Sequence, residues 1–415
     1  MRSYKRHHYV PQWYQYRFLL SDQKENKFFY LDQKPDVITL PNGNRYARNN
    51  LLRWGPPKCF YETDLYTTKY RDWESTEIEE MFFGKIDDSG RKAVDYFTNF
   101  EHPSANGQSF NALLPYMSAQ KLRTQKGIPY LASLIQLDNK NELLMEMQRL
   151  HRMHCALWTE CVWSIVDATD SETKFICSDH PITVYNQKCF PESKWCRETN
   201  DPGIWLDGTY TIFPLTLNKA LILTNLSWVR NPYGNPLKER PNPKLFRPAM
   251  FKFTDIQTGR KLEEKEVIAI NYIIKKRSYR YIAAAKEEWL YPEKYFTSKR
   301  WDKIGESYLL MPDPRSVSFS SEIIMGYKDG TSDSFDEYGR KPWDRNFRDK
   351  QRHAKEWDSF HAFQGEYARL NGPKRKGLTY SFGDIDKEID SDDFHAYHLS
   401  LESKLKHKFK KRKRK

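Results

Sequence analysis

The sequence lacks the patterns that identify several large protein classes. No apolar run approaches the roughly 18 residues that cross a membrane, and the first residues lack the apolar core of a secretory signal. It contains no internal repeat, phosphate-binding glycine loop, dinucleotide-binding fingerprint or Gly-x-Ser-x-Gly nucleophile motif. These absences predict a cytoplasmic protein with no membrane segment, whose function depends on residues scattered along the chain.

Cysteine is sparse and unpatterned. The six cysteines include no Cys-x-x-Cys pair, so neither a zinc ribbon nor a redox motif is indicated. Free thiols are therefore the expectation for a cytoplasmic protein. Cys189 and Cys196 flank a loop, and they are the pair that would bridge in an oxidising compartment.

Positive charge exceeds negative charge. Lysine and arginine number 68 against 55 acidic residues, which gives a net charge of +13 and a pI of about 9.2. Much of the surplus lies in residues 404–415, a polycation that predicts a disordered tail. A solubilising role is one reading of this tail. The other is salt-sensitive, sequence-independent contact with nucleic-acid phosphates through Lys408, Lys410, Lys411, Arg412, Lys413, Arg414 and Lys415.

Apolar spacing predicts an α+β fold for residues 1–295. A helical block over 70–160 is expected to contain three long helices, at 73–97, 110–123 and 141–158. Apolar runs then predict a mostly antiparallel sheet over 161–230, followed by a closing helix over 262–285. Residues 296–403 show no sustained period and predict an irregular basic C-terminal extension.

Two histidines stand at the start of an aromatic-rich segment. Pro11 lacks a backbone donor and biases Val10 toward an extended conformation, so we expect an extended arm before a helix that begins at Gln12. His8 has the chemistry of a metal ligand or of a proton carrier near neutral pH. Packing against the first helix is the alternative for both His7 and His8.

Acidic and amide residues occupy two of the predicted helices. Glu80 is a candidate metal ligand that would share a helix face with Asp87, and a solvated acidic face is the alternative. Gln120 and Arg123 lie one turn apart on the next helix, where a planar guanidinium matches phosphate or carboxylate. A salt bridge from Arg123 to the glutamates of the preceding helix is equally compatible with this spacing.

Ser178-Asp179-His180-Pro181 follows an apolar strand. Because a strand end holds a carboxylate rigidly, Asp179 is a candidate ligand for a divalent metal, or a partner that orients an imidazole such as that of His8. The alternative is a turn in which Ser178 and Asp179 accept hydrogen bonds from backbone groups.

Several of these residues follow a known order. The start of the chain resembles the opening motif of an uncharacterised family that is found in bacteria, archaea and fungi and is called domain of unknown function forty-two thirty-eight. The residues that carry this resemblance are His8 to Gln12, Tyr14 and Phe18. The resemblance covers about residues 5–290 and continues at Glu77 and Glu79-Glu80, Gln120 with Arg123, Phe175 to Pro181, Phe213 to Thr216, and Asn271. The family has no settled activity, so the resemblance supports the choice of residues more than a reaction.

These residues predict a metal-dependent nuclease acting on RNA or DNA, and the kind of family resembled implies bacterial anti-phage defence. Glu80 and Asp179 would hold Mg²⁺ or Mn²⁺, and the metal would generate hydroxide near neutral pH. His8 would move the proton, while Arg123 beside Gln120 would clamp the phosphate.

Two other functions use the same residues. The chain would otherwise be a non-catalytic nucleic-acid-binding or assembly subunit, with a protein partner or a second copy of itself. A third alternative is an enzyme that acts on a nucleotide or small anion without a metal. Dependence on a divalent metal separates the first hypothesis from the third.

Overall fold

The fold is α+β, with mostly antiparallel sheets, as predicted. It is known from a computed structural model, and the statements below concern only the residues that this structure describes. These are residues 6–63, 68–70, 73–75, 84–100, 107–130, 140–196, 201–233, 256–296, 300–317, 323–326, 329–336, 340–345, 347, 349–373, 378–379 and 391–401.

The strands are numbered in chain order. They are β1 Arg6–His8, β2 Phe28–Asp32, β3 Val37–Thr39, β4 Arg45–Ala47, β5 Leu51–Trp54, β6 Tyr61–Thr63, β7 Thr68–Tyr70, β8 Trp73–Ser75, β9 Cys161–Asp167, β10 Cys177–Ser178, β11 Thr183–Asn186, β12 Thr209–Pro214, β13 Lys219–Asn225, β14 Gln257–Lys261, β15 Tyr281–Ala284, β16 Ile323–Gly326, β17 Ser332–Phe335 and β18 Leu378–Thr379.

The helices are numbered in the same way. They are α1 Gln12–Tyr16, α2 Gly84–Thr98, α3 Gly107–Leu122, α4 Lys140–Thr159, α5 Leu226–Arg230, α6 Glu264–Arg277, α7 Trp301–Ile304, α8 Lys350–Asn371 and α9 392–401. Short 3-10 turns occur at Pro56–Lys58, Glu288–Leu290, Pro292–Tyr295, Glu306–Tyr308 and Pro314–Ser316.

The larger sheet has six strands in the order β11-β12-β13-β9-β14-β18. All neighbours are antiparallel except β9 and β14, which run parallel. Every residue of β12 and the central five residues of β9 are buried, which explains why these strands read as continuous apolar runs. The predicted sheet over 161–230 is therefore confirmed for β9, β11, β12 and β13, whereas β10 belongs to the second sheet.

The second sheet joins the start of the chain to a segment far along it. Its order is β10-β15-β2-β5, and all three pairings are antiparallel. The predicted closing helix over 262–285 is wrong in its second half, because α6 ends at Arg277 and β15 follows. Ser278 is already extended, at φ −65° and ψ 159°, so the chain leaves the helix there.

Three helices form a layer against the sheets. Helix α2 packs on α3, and α3 packs on α4. The predicted helix over 73–97 is wrong at its start, because residues 73–75 form β8 and pair with β7. Aromatic and threonine residues favour strands, and in β7 and β8 this preference outweighs the helical spacing of the apolar residues. Residues 76–83 lie outside the described part of the chain.

The buried core continues beyond residue 296. It includes Trp301 and Leu310, and it takes in Phe360, Phe363 and Tyr367 from one face of α8. These three residues follow helical spacing, but the polar residues between them, such as His361, Gln364 and Glu366, hide the period in the sequence. The expectation of no regular structure over 296–403 is wrong for α8. No helix within the described ranges is both long and apolar enough to cross a bilayer.

Gly90 permits the close approach of α2 and α3. A β-carbon on this glycine would lie 2.5 Å from the Tyr116 ring, which is fully buried. We therefore expect Gly90→Ala to lower the free energy of unfolding in urea by about 1–3 kcal/mol, since the packed helices must separate. Ser89→Ala, at an exposed position of the same helix, is the matched control and should be neutral or slightly stabilising.

Candidate functional site

Asp179 lies just beyond β10 with 1% of its surface exposed. Its Oδ1 accepts a hydrogen bond from the backbone N–H of Tyr279 at 2.9 Å, and Oδ2 accepts from Arg280 and Tyr281 at 2.7 Å each. Burial raises the pKa of Asp179, and the three backbone donors oppose this rise. The carboxylate therefore holds the turn that connects α6 to β15.

Arg123 and Gln120 contact each other at the end of α3. Arg123 is 2% exposed, and its Nη1 and Nη2 donate to the two carboxylate oxygens of Asp87 at 3.0 and 2.7 Å. With its amide oxygen toward Arg123, Gln120 accepts from Nε at 3.0 Å and donates to the Tyr9 carbonyl at 3.3 Å. The guanidinium of Arg123 thus binds an aspartate of the preceding helix, and the glutamates predicted as its partners lie outside the described residues.

His8 lies half-buried in β1, which pairs with β6. The Gln12 amide nitrogen is 3.4 Å from either ring nitrogen, and the Tyr61 ring centre is 5.7 Å away. The helix after Pro11 begins at Gln12, as predicted, and ends at Tyr16. The contacts described for His8 and for Asp179 run to different residues, so the structure does not show the predicted pairing of this imidazole with Asp179.

Other residues of the motif segments, and Arg17 between Tyr14 and Phe18, bind the backbone of distant segments. Tyr14 donates to the Pro214 carbonyl at 2.6 Å, and Arg17 donates to the Leu215 carbonyl at 2.9 Å. Asn271 donates to the Lys174 carbonyl at 2.8 Å and accepts from the Ile176 N–H at 3.2 Å. The motif segments therefore meet in space, and their polar side chains satisfy buried backbone groups.

Two sets of predicted site residues lie outside the described residues. These are Glu80, with its neighbours Glu77 and Glu79, and the seven basic residues of the tail from Lys408 to Lys415. Within the ranges that the structure does describe, no group of three or more His, Cys, Asp or Glu side chains is placed to hold a metal ion. The divalent metal stays a prediction.

A buried ionic cluster, which the sequence did not reveal, lies next to Asp179. Its members are His180, Asp201, Lys121, Lys126 and Thr124, all nearly inaccessible to solvent. Asp201 accepts from Lys121 at 3.0 Å, from Lys126 at 2.5 Å and from the His180 Nε2 at 3.1 Å. The other His180 nitrogen lies 2.8 Å from the Thr124 hydroxyl.

Burial determines the charge states in this ionic cluster. It lowers the pKa of His180 to about 3, so the imidazole is neutral near pH 7 and can donate through Nε2 to Asp201. It also lowers the pKa of Lys126 to about 8, although attraction to Asp201 opposes this effect. Burial would raise the pKa of Asp201, but the two ammonium groups and His180 hold it well below its usual value.

The ionic cluster joins four parts of the chain. It connects the end of α3, the Ser178–Pro181 turn, the segment at Asp201 and the end of α6, where Lys126 donates to the Arg277 carbonyl at 2.5 Å. A cation at a helix C-terminus is favoured by the helix dipole. One signal was present in the sequence, because Lys121 falls in the apolar stripe of α3, where a charge requires a buried partner.

An open pocket of about 640 Å³ lies beside the C-terminal part of α6. This volume is within the range of small-molecule sites. It is bounded by the loop after β11, by α6 and by the start of α7. Its lining residues are Gln187, Lys188, Phe190, Pro191, Glu192, Tyr272, Lys276, Arg300, Trp301 and Asp302.

Arg277 holds two walls of this pocket in place, the Trp301 ring and the loop that follows β11. Its guanidinium is fully buried, 4.6 Å from the centre of the Trp301 ring. Nη1 donates to the Cys196 sulfur at 3.3 Å and Nη2 donates to the Cys189 carbonyl, which anchors both ends of the loop. Trp301 is held in turn through its Nε1, which donates to the Asn186 carbonyl at 2.8 Å.

Comparison with known proteins adds no relative. No protein-family model, curated protein or solved structure matches the chain. The resemblance to the uncharacterised motif family stays a prediction, and the assignment of function rests on the chain's own geometry and charge.

The role of Asp179 can be tested through stability. Asp179→Asn removes the charge and presents an NH₂ group to a backbone donor, so we expect the free energy of unfolding to fall by about 2–4 kcal/mol. Asp170→Asn is the matched control at an exposed position and should change it by less than about 0.5 kcal/mol. An Asp179→Asn protein with parental stability would contradict the structural role and restore the chemical one.

The neutral His180 predicts a pH dependence of stability. Its pKa falls from 6.5 to about 3 on folding, so between these values the unfolded state binds a proton that the folded state does not. Stability should therefore decrease as pH falls below 6.5, and this histidine should contribute ~1.4 kcal/mol per pH unit.

The matched measurement compares urea unfolding of the parent and of His180→Gln at intervals from pH 7 to pH 4. The variant should be less stable at pH 7 but should lose stability less steeply in acid. Parallel curves for the two proteins would mean that folding leaves the pKa of His180 unchanged, which would contradict this prediction.

Proposed function

We propose that this protein binds nucleic acid through its phosphates, and that the described motif residues maintain the fold rather than perform chemistry. The observation that carries this proposal is the state of Asp179, whose two oxygens receive three backbone N–H groups. Arg123 is likewise committed to Asp87 and Gln120. These side chains have the hydrogen-bond partners expected of structural residues.

Charge supports a polyanionic partner. The net charge of +13 attracts nucleic acid over long distances, and the tail carries seven lysines and arginines from Lys408 onward. Exposed aromatic rings beside cations add a second feature of such proteins. Lys34 lies 4.9 Å from the Tyr279 ring, and Lys194 lies 5.4 Å from that of Trp195. Exposed rings offer stacking surfaces to unpaired bases.

The nuclease hypothesis is the second candidate. The observation that favours it is Asp87, which remains 25% exposed beside Arg123 and follows the acidic segment containing Glu80 along the chain. A partly exposed carboxylate next to a guanidinium can serve at a phosphate site. Metal dependence, the choice between RNA and DNA, and a role in anti-phage defence stay predictions.

Replacing the seven basic tail residues by glutamine in the full chain tests the binding proposal. We expect weaker binding to duplex DNA and to single strands. The variant makes fewer phosphate contacts, so fewer counterions are released from the nucleic acid when it binds. The slope of log K against log salt should become shallower by up to about 6 units on duplex DNA, at roughly 0.9 per contact. A variant that exchanges lysine and arginine within the tail keeps the charge and is the matched control.

The same proteins separate binding from cleavage. End-labelled RNA and DNA, single- and double-stranded, are incubated with Mg²⁺, Mn²⁺ or a chelator. Intact substrates that are bound in a salt-dependent way support the binding proposal. Cleavage that disappears with the chelator would instead establish the nuclease, and the absence of both binding and cleavage would contradict both candidates.

A further inference from the structure

We infer that the open pocket beneath the loop of residues 187–192 binds one nucleotide unit, with a base against its aromatic side and a phosphate against its lysines. This inference rests on the proposed function insofar as the unit belongs to a single-stranded chain. The same chemistry also fits a free nucleotide, and the experiment below distinguishes the two sources.

The charges around the pocket favour an anion. Arg300 and Asp302 bind each other, with Nε at 3.1 Å and Nη2 at 2.5 Å from the carboxylate, so this pair is close to neutral. Lys188 and Lys276 then outnumber Glu192. The buried guanidinium of Arg277 lies directly behind the Trp301 wall, where a low dielectric strengthens its positive potential.

The aromatic residues favour a planar group. Phe190 is 55% exposed at the rim, while Tyr272 and Trp301 form the interior wall and are mostly buried. An exposed phenylalanine on an ordered loop is a natural stacking surface, because every nucleobase has a planar face that can cover it. A metal cation is disfavoured because Lys188 and Lys276 outnumber Glu192 and because Asp302 is already paired with Arg300. An aliphatic anion would leave the Phe190 ring exposed to water.

The loop that presents Phe190 is held in place before any ligand binds. Consecutive turns close it, with the Cys189 N–H donating to Asn186, Ser193 to Phe190 and Cys196 to Ser193. Glu192 adopts a φ of +70°, in the left-handed region that non-glycine residues rarely occupy. Because Arg277 binds Cys189 within this loop and Cys196 just beyond it, ligand binding costs little loop entropy, which is a feature of preorganised sites.

Two substitutions in the full-length chain test the pocket. Phe190→Ala removes an exposed ring and Lys188→Gln removes an exposed charge, so neither should disturb folding. The matched controls are Tyr295→Ala and Lys24→Gln, which are exposed but do not line the pocket. Circular dichroism and urea unfolding confirm that all four variants are folded.

Binding is measured with two probes. Fluorescence anisotropy follows a labelled oligothymidine, and calorimetry follows adenosine 5′-monophosphate. Phe190→Ala should weaken oligothymidine binding roughly 5- to 100-fold, the range found when one stacking residue is removed. Lys188→Gln should make its salt slope shallower by about 0.7. Neither control should change binding or the salt slope.

The outcomes separate the two proposals. If the parent binds oligothymidine and both pocket variants bind it equally well, the pocket inference is wrong and the general binding proposal stands. If the parent binds only adenosine 5′-monophosphate and Phe190→Ala abolishes this, the pocket is a free-nucleotide site and the polynucleotide proposal fails. Binding of neither probe by the parent overturns both.

Discussion

The hydrogen bonds from three consecutive backbone amides to Asp179 are the interaction on which much of the structure depends. They fix the turn after α6, and this turn starts β15, which pairs with both β2 and β10. Strands β2 and β5, from the N-terminal part of the chain, are thereby brought into one sheet with β10 and β15. A buried carboxylate is stable only when it is fully hydrogen-bonded, so the turn and the aspartate require each other.

The position of α3 also depends on this turn, through the ionic cluster. His180 follows Asp179 directly, and its contacts to Thr124 and Asp201 place the end of α3 beside the same turn. Removing one member of a buried charge pair costs about 3–5 kcal/mol, because the remaining charge keeps its desolvation penalty. Catalysis needs access to substrate, whereas these groups are enclosed. They are better understood as the connection between the helical layer and the sheets.

This arrangement has a consequence for binding. Arg277 ends α6, where its carbonyl accepts from Lys126 of the ionic cluster and its guanidinium anchors the pocket loop. The groups that hold the core together thus also shape the open pocket beside the end of α6. A binding surface on such a support loses little entropy when a ligand arrives, since its loop and its tryptophan wall are already in position.

The sequence by itself determined the α+β class, the central strands such as Cys161–Asp167, and the helix Gly107–Leu122, because apolar periodicity is a local property. It also placed Gln120 and Arg123 on one helix face, where they meet. Only the tertiary structure decided that Tyr281–Ala284 is a strand and that Asp179 caps a turn. It also placed Lys121, Lys126 and Asp201 around His180. Residues up to 102 positions apart supply these partners, and no local pattern of spacing encodes which buried charge will meet which backbone group.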